Sequence, residues 1–422
     1  MDSQISLQQP ILDGGIRSIN FFNGRLLSAR DLTREQTANR EADRRLGQAV
    51  GEGIAYGLEV SKSTASTQES PVVTVESGLA INRIGQTLKL AAKTDVALVR
   101  RATSSSGVTD FFGECAPLQS GTYVAGAGVY LLTLAPAQGT EGRAATHSLE
   151  STNASCNTDT NVTAVQFRLI QLDQQISATE MLDQNRLRNL IAYKCFGVTE
   201  TDGFAGDPFS APLKNYGLLD SLRPTRLTEC EVPIAILYWT LVDGIKFIDM
   251  WSVRRRLASQ SADSAFPLFT SQRRRSEGEA MFLEFAEQLD TMRKTLANPG
   301  SVRAVDHFRY LPPVGFVPLA TNRFPQGFHK NLFFNTITQH PEVHIEGSRL
   351  EALVHASLHY PPLDLSTGVM IWVYRVRENQ QQVANDTPAS ATQPYLVFTT
   401  GHMAYLGDPH FDVNRWDFSN FA

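Results

Sequence analysis

Long apolar runs are the first thing this 422-residue sequence lacks. Its most hydrophobic stretch, Val232 to Val242, is strand-sized and broken by Pro233, whereas a membrane-spanning helix needs about 20 apolar residues. A basic excess is missing as well. The chain carries 38 Lys and Arg against 43 Asp and Glu, for a net charge of -5, and a dedicated nucleic-acid binder is usually basic, so no nucleic-acid partner is expected. Cysteine is scarce: Cys115, Cys156, Cys195 and Cys230 lie far apart, in none of the short paired spacings of zinc sites. That predicts buried reduced thiols, with Cys115 and Cys156 flanking one β-rich stretch where they could be neighbours. Residues 1–20 have no basic segment followed by an apolar run, so synthesis in the cytosol is expected, with membranes reached only indirectly through partners. Catalytic signatures are lacking too. There is no phosphate loop ending in Gly-Lys-Ser, no nucleophile elbow and no His-Glu-x-x-His helix, so the reading is of a chain that is not an enzyme and takes no cofactor.

What is present is a mainly β sequence with a few helices, of the α+β class. Residues 1–256 read as an N-terminal β-sandwich-like domain with helices near 28–50 and 178–193. Ser28 with Asp31, and Ser177 with Glu180, supply the side-chain acceptor and the acidic third residue of a capping box. Between them, short apolar segments separated by Gly78, Gly85 and similar turn residues predict strands. Val232–Val242 and Ile245–Val253, joined by Asp243-Gly244, predict a hairpin with a two-residue turn. Residues 257–300 read as a linker followed by an amphipathic helix starting at Ser276, capped with Glu279 and stopped by Asn298-Pro-Gly300. Residues 301–422 read as a C-terminal β-rich domain.

Four groups of residues are candidates for function. Phe282, Phe285, Leu289, Met292 and Leu296 recur at spacings of three and four, a seam that suits either the chain's own core or a threefold helix contact. Trp416 and Phe418, in the aromatic run near the end of the sequence, are candidates for the same trimer interface. The triplets Arg254, Arg255, Arg256 and Arg273, Arg274, Arg275 bracket the linker and form a candidate electrostatic patch for an acidic surface or lipid headgroups, against a plain solvated hinge. His340, Glu342 and His344 alternate along one strand, as metal ligands could and as exposed strand faces commonly do. A hydrolase would need paired carboxylates, such as Asp220 with Glu229 or Glu231.

One segment carries a family resemblance. Phe21-Phe-Asn-Gly-Arg-Leu-Leu-Ser-Ala-Arg-Asp-Leu-Thr-Arg-Glu-Gln36, then Gly51-Glu-Gly-Ile-Ala-Tyr-Gly-Leu-Glu-Val60 and a Gly-turned strand pair over Val73–Leu90, resembles the opening of proteins encoded with contractile injection systems. It is more distantly similar to the N-terminal shell domain of the trimeric type VI secretion baseplate subunit, itself related to shoulder domains of phage receptor-binding proteins. The resemblance covers roughly the first ninety residues. It implies a homotrimeric baseplate component or fibre adaptor with other baseplate or fibre subunits as partners, assembled into a phage-tail-like particle and possibly membrane-anchored. It also implies an attachment surface on the N-terminal domain, with Phe21, Phe22, Arg25, Leu26, Leu27 and Leu32 as candidate contacts. Because only one short helix joins the two β-rich parts, an adaptor is expected rather than a slender stalk. A receptor- or carbohydrate-binding module is the alternative, since loops rich in Ser, Thr, Asn and Gly suit sugar recognition.

Overall fold

The backbone N–H of Asp31 donates to the Ser28 hydroxyl (3.2 Å) and the Ser28 N–H donates back to the Asp31 carboxylate (3.0 Å). This reciprocal cap satisfies donors that the first turn of a helix leaves orphaned, and α1 (Ala29–Val50) runs on from it. The computed structural model describes residues 11–68, 70–98, 128–146, 155–172, 176–196, 217–223, 225–257, 271–380 and 392–403. Within them the chain is β-rich with several helices.

Two small antiparallel sheets follow α1. One is β1 (Gly53–Gly57), β4 (Gly78–Ile81) and β5 (Thr87–Leu90); the other is β2 (Val60–Lys62), β3 (Val72–Val75) and β6 (Thr94–Ala97). Both bury their apolar faces against a four-stranded antiparallel sheet of order β10-β9-β7-β8, built from β7 (Gly128–Thr146), β8 (Ser155–Gln171), β9 (Val232–Thr240) and β10 (Gly244–Asp249). Alternation along β7 divides the load. Tyr130, Leu132 and Leu134 face the small sheets, while Val129 and Leu131 face helices α3 (Leu187–Phe196) and α4 (Gly217–Leu222). A sheet covered on both faces needs apolar side chains on both, which is why Val232–Thr240 reads as a nearly unbroken hydrophobic run.

Several sequence expectations change here. The region expected as one helix near 178–193 is two: α2 (Ala178–Leu182) carries the Ser177–Glu180 capping box and stops at Asp183, and α3 starts afresh at Leu187. In the β9–β10 hairpin Thr240 pairs with Gly244, so the loop has three residues and Asp243-Gly244 is not a two-residue turn. Asp243 does not take positive φ; Gly244 alone does, at 69°, and a shift in register follows between Ile245 and Phe247. Gly244, the first residue after the loop, supplies the left-handed position that glycine takes at no steric cost. Cys230, expected as a reduced thiol, is disulfide-bonded, while Cys195 is free and buried, its thiol pushed up to about 12 by burial. Cys115 lies outside the described residues.

The C-terminal part is built on a mixed sheet. β12 (Val314–Pro318), β17 (Tyr395–Thr400) and β16 (Met370–Val376) are antiparallel neighbours, and β13 (Thr338–Gln339) and β14 (Val343–Ile345) pair with β16 in parallel. A two-stranded pair, β11 (Tyr310–Leu311) with β15 (Leu363–Asp364), lies beside it. Helix α5 (Ser271–Thr295) packs against the sheet. It begins five residues before Ser276, so the expected Ser276–Glu279 cap does not form; the Ser276 hydroxyl is buried inside the helix without a hydrogen-bond partner.

Candidate docking surface

Helix α1 is fixed to the sheets at its C-terminal turns. Gly47 lies so close to the turn between β4 and β5 that a Cβ there would collide with the Gly85 carbonyl, and the Arg44 Nε donates to the Ile84 carbonyl (2.8 Å). A strap formed by residues 14–20 runs alongside the helix. Arg45 donates to the Gly14 carbonyl (2.7 Å) and the Ile19 N–H to Glu35 (2.9 Å), burying Ile19 and Ala38.

Everything else large and apolar in this region faces outward. Phe21 is 56% exposed, Phe22 62%, Leu26 94%, Leu27 50% and Leu32 52%, and Ile11, Leu12, Leu46 and Val50 are exposed as well. Most of the exposed large hydrophobic side chains among the described residues lie in this one stretch. A concentration of this kind marks an interaction surface, whereas single exposed apolar residues do not. Arg25 sits within the stretch as an organiser: it pairs with Asp31 (3.0 Å), donates to the Asn20 carbonyl (2.8 Å) and lies over the Phe22 ring. Those bonds hold the loop before α1 so that Leu26 points into solvent rather than folding back.

The helix seam is placed differently. Phe285 and Leu289 are fully buried and Met292 nearly so, in the core formed with β16 and β17, with Leu296 packed against it; Phe282 packs edge-on against Phe316. That face of α5 is occupied by the chain's own sheet, which leaves no seam there for a second copy. Trp416 and Phe418 lie outside the described residues.

The first arginine triplet is tied into the fold. Arg254 donates to the carbonyls of Gly57 and Leu58, and Arg255 donates to those of Trp251, Arg254 and Ser252 while its guanidinium covers the Phe196 ring at 4.7 Å. Arg256 reaches Glu279 on α5 at 2.7 Å. These residues stitch β1, the end of β10 and α5 together. Arg273 and Arg274 fall in the first turn of α5, and Arg275 is exposed and within 3.0 Å of His355 Nδ1.

Most of the remaining candidates are engaged within the fold, while His344 is exposed. His340 stacks on Trp372 (3.7 Å), and Glu342 takes ion pairs from Lys330 and Arg375. Burial would raise the Glu342 carboxyl, but those two hydrogen-bonded cations outweigh it and hold it at about 2. Asp220 and Glu229 share Arg83, at 2.8 and 3.6 Å, and Glu231 is buried against Arg168 (2.8 Å), Thr133 and Thr228. No group of three or more metal-ligating side chains occurs among the described residues, and no described helix is long and apolar enough to cross a membrane.

Sequence reasoning missed the junction between the two β-rich parts. Arg188 on α3, more than nine-tenths buried, faces Asp249 (3.9 Å), Glu284 (3.8 Å) and Glu287 (3.1 Å). Glu284 also accepts from Tyr310 (3.2 Å) and Asn189 (3.5 Å), and Trp251 Nε1 donates to Glu287 (2.8 Å). Asn189 Oδ1 in turn accepts the backbone N–H groups of Arg309 and Tyr310 at 2.7 and 3.0 Å. Below this network Tyr193 and Phe196 pack on Tyr310, Ala280 and Met281. The only sequence signal for it was a scatter of unpaired charges in otherwise apolar segments.

No family model matches the chain, and no curated protein matches it. Among solved structures it is similar to one described as a crystal structure of TssK, at 8% identity and a TM-score of 0.27, over 69% of this chain and 52% of that one. The chain thus spans about half of the TssK chain it matches, and a likeness at this level carries no argument about function.

Proposed function

We propose that this chain is a structural, non-catalytic component of the baseplate of a contractile, phage-tail-like injection machine. In this reading the N-terminal β domain attaches to other baseplate subunits and the C-terminal part reaches toward a fibre or membrane anchor. The observation that carries it is the exposed apolar surface of Phe21, Phe22, Leu26, Leu27 and Leu32, which falls within the segment whose sequence resembles baseplate-associated proteins. A protein gains nothing alone from exposing these side chains; a partner that buries them gains about 25 cal/mol per Å² of apolar surface removed from water.

A homotrimer is part of the proposal. Since the Phe285–Met292 face of α5 is filled from within, threefold association would use other surfaces. Light scattering on the purified full-length chain tests that part: a trimer mass supports it, and a monomer at micromolar concentration removes it. Attachment is tested separately with the double substitution Leu26→Asp, Leu27→Asp. Both side chains are exposed, so folding stability should change by less than about 0.5 kcal/mol. Co-sedimentation with purified particles should fall at least tenfold. Unchanged co-sedimentation would exclude this surface as the attachment site.

A further inference from the structure

Between the strap at residues 14–17 and the N-terminal half of α1 lies an open groove of ≈ 740 Å³. Its floor is apolar, with Ile16 and the buried Ala38, and its walls are basic, with Arg17, Arg30 and Arg34. The acidic groups on α1 between residues 29 and 41 are engaged elsewhere. Asp31 closes the helix cap and pairs with Arg25, Glu35 accepts the Ile19 N–H, and Glu41 pairs with Arg45 at 3.3 Å. Among the described residues Arg17, Arg30 and Arg34 have no hydrogen-bond or ion-pair partner, a local positive excess on a chain whose net charge is -5.

Resting on the baseplate reading, we propose that this groove receives an extended acidic segment of a partner subunit, with carboxylates on Arg17, Arg30 and Arg34 and an apolar side chain over Ile16 and Ala38. Arg30 and Arg34 stand one helical turn apart, about 5–6 Å between Cβ atoms. Alternate residues of an extended chain, on one face, are about 6.8 Å apart. Successive same-face carboxylates therefore match the two guanidinium groups, and the planar fork of arginine suits a carboxylate pairwise. The apolar floor favours a peptide over a nucleic-acid backbone, which offers phosphates but no aliphatic side chain to cover Ile16.

The test uses the full-length chain with a photo-crosslinking residue in place of Thr33 or Thr37, both exposed on the groove wall, bound to purified particles and read by mass spectrometry. The expected product joins the groove to one segment of another subunit that carries acidic residues at alternate positions. Arg30→Glu with Arg34→Glu should abolish the crosslink and weaken association at least tenfold, Arg30→Gln with Arg34→Gln should weaken it less, and wild-type binding should fall as salt rises. Circular dichroism confirms that each variant is folded. Crosslinks to a segment without acidic residues, to residues 1–10 of this chain or to nucleic acid would overturn the proposal, as would charge-reversed chain that binds like wild type. In those cases wild-type association persists and the baseplate reading stands; a wild-type chain that stays off the particles overturns both.

Discussion

Glu284 accepts from Tyr310 and Asn189 in a site with no solvent contact, and its nearest charged neighbours are two carboxylates and one arginine. Burial first, and then the negative charge of Asp249, push its carboxyl up to about 8, with Arg188 and Tyr310 only partly opposing them. The sign of the pH dependence follows. An unfolded chain releases this proton near pH 4.5 and the folded chain keeps it to about pH 8, so the folded state binds more protons across that window. The stabilising contribution is complete below about 4.5 and is lost as pH rises toward 8, with a slope of up to about 1.4 kcal/mol per pH unit. Glu284→Gln, which keeps the neutral form at every pH, should flatten this dependence. Urea midpoints at pH 6 and pH 9 measure it, and a variant that loses stability between them as fully as wild type would show that Glu284 does not titrate there. A second buried acid, Glu231, has Arg168, Thr133 and Thr228 around its carboxylate. Glu231→Ala leaves the Arg168 guanidinium without its counter-charge, a change that costs about 3–5 kcal/mol when such a pair is buried, seen as a lowered urea midpoint at neutral pH.

At the scale of elements, α1 depends on one close approach. Val in place of Gly47 would drive its side chain into the Gly85 backbone, where positive φ (83°) leaves the turn little freedom to yield. We expect Gly47→Val to detach the helix while the sheets stay folded. Hydrogen exchange would show lost protection over α1 with β7 and β9 unchanged; loss throughout the chain would mean that α1 supports the whole fold. Both capping boxes of the N-terminal part were legible in the sequence, because a cap is completed within four consecutive residues. The hairpin was legible as a pair of strands but not in its loop, since Leu241 and Val242 looked like strand continuation and are instead exposed in the turn. The seam of α5 was legible as an apolar face, but the spacing of Phe285, Leu289 and Met292 is the same whether the sheet of one chain or the helix of another covers it. Of the candidate site, Phe21 to Leu32 were readable as residues, and their exposure was not.

At the scale of the molecule, the two β-rich parts are joined by more than the chain between them. Arg188 from α3 bridges Asp249 at the end of β10 and Glu284 and Glu287 on α5, and the Tyr193 hydroxyl donates to Asp364, which also pairs with Arg309. Arg188→Ala leaves the Asp249 and Glu287 carboxylates, and the buried Glu284 carboxyl between them, without their shared cation and should cost about 3–5 kcal/mol. Because the network joins both parts, hydrogen exchange should weaken in β9 and in β16 together; weakening in β9 alone would mean that the parts are not coupled through Arg188. A junction fixed in this way couples the N-terminal sheets mechanically to the C-terminal sheet. Period, capping and turn chemistry are local, and they suffice to establish a β-rich chain with capped helices and no membrane-crossing helix among the described elements. Whether a given side chain is a contact or a tie depends on groups distant in sequence. Arg254 read as part of a patch because the carbonyls of Gly57 and Leu58, nearly two hundred residues away, were not visible beside it. Leu26 was a candidate contact only through the family resemblance, and its exposure became visible only in the fold, which leaves nothing to cover it.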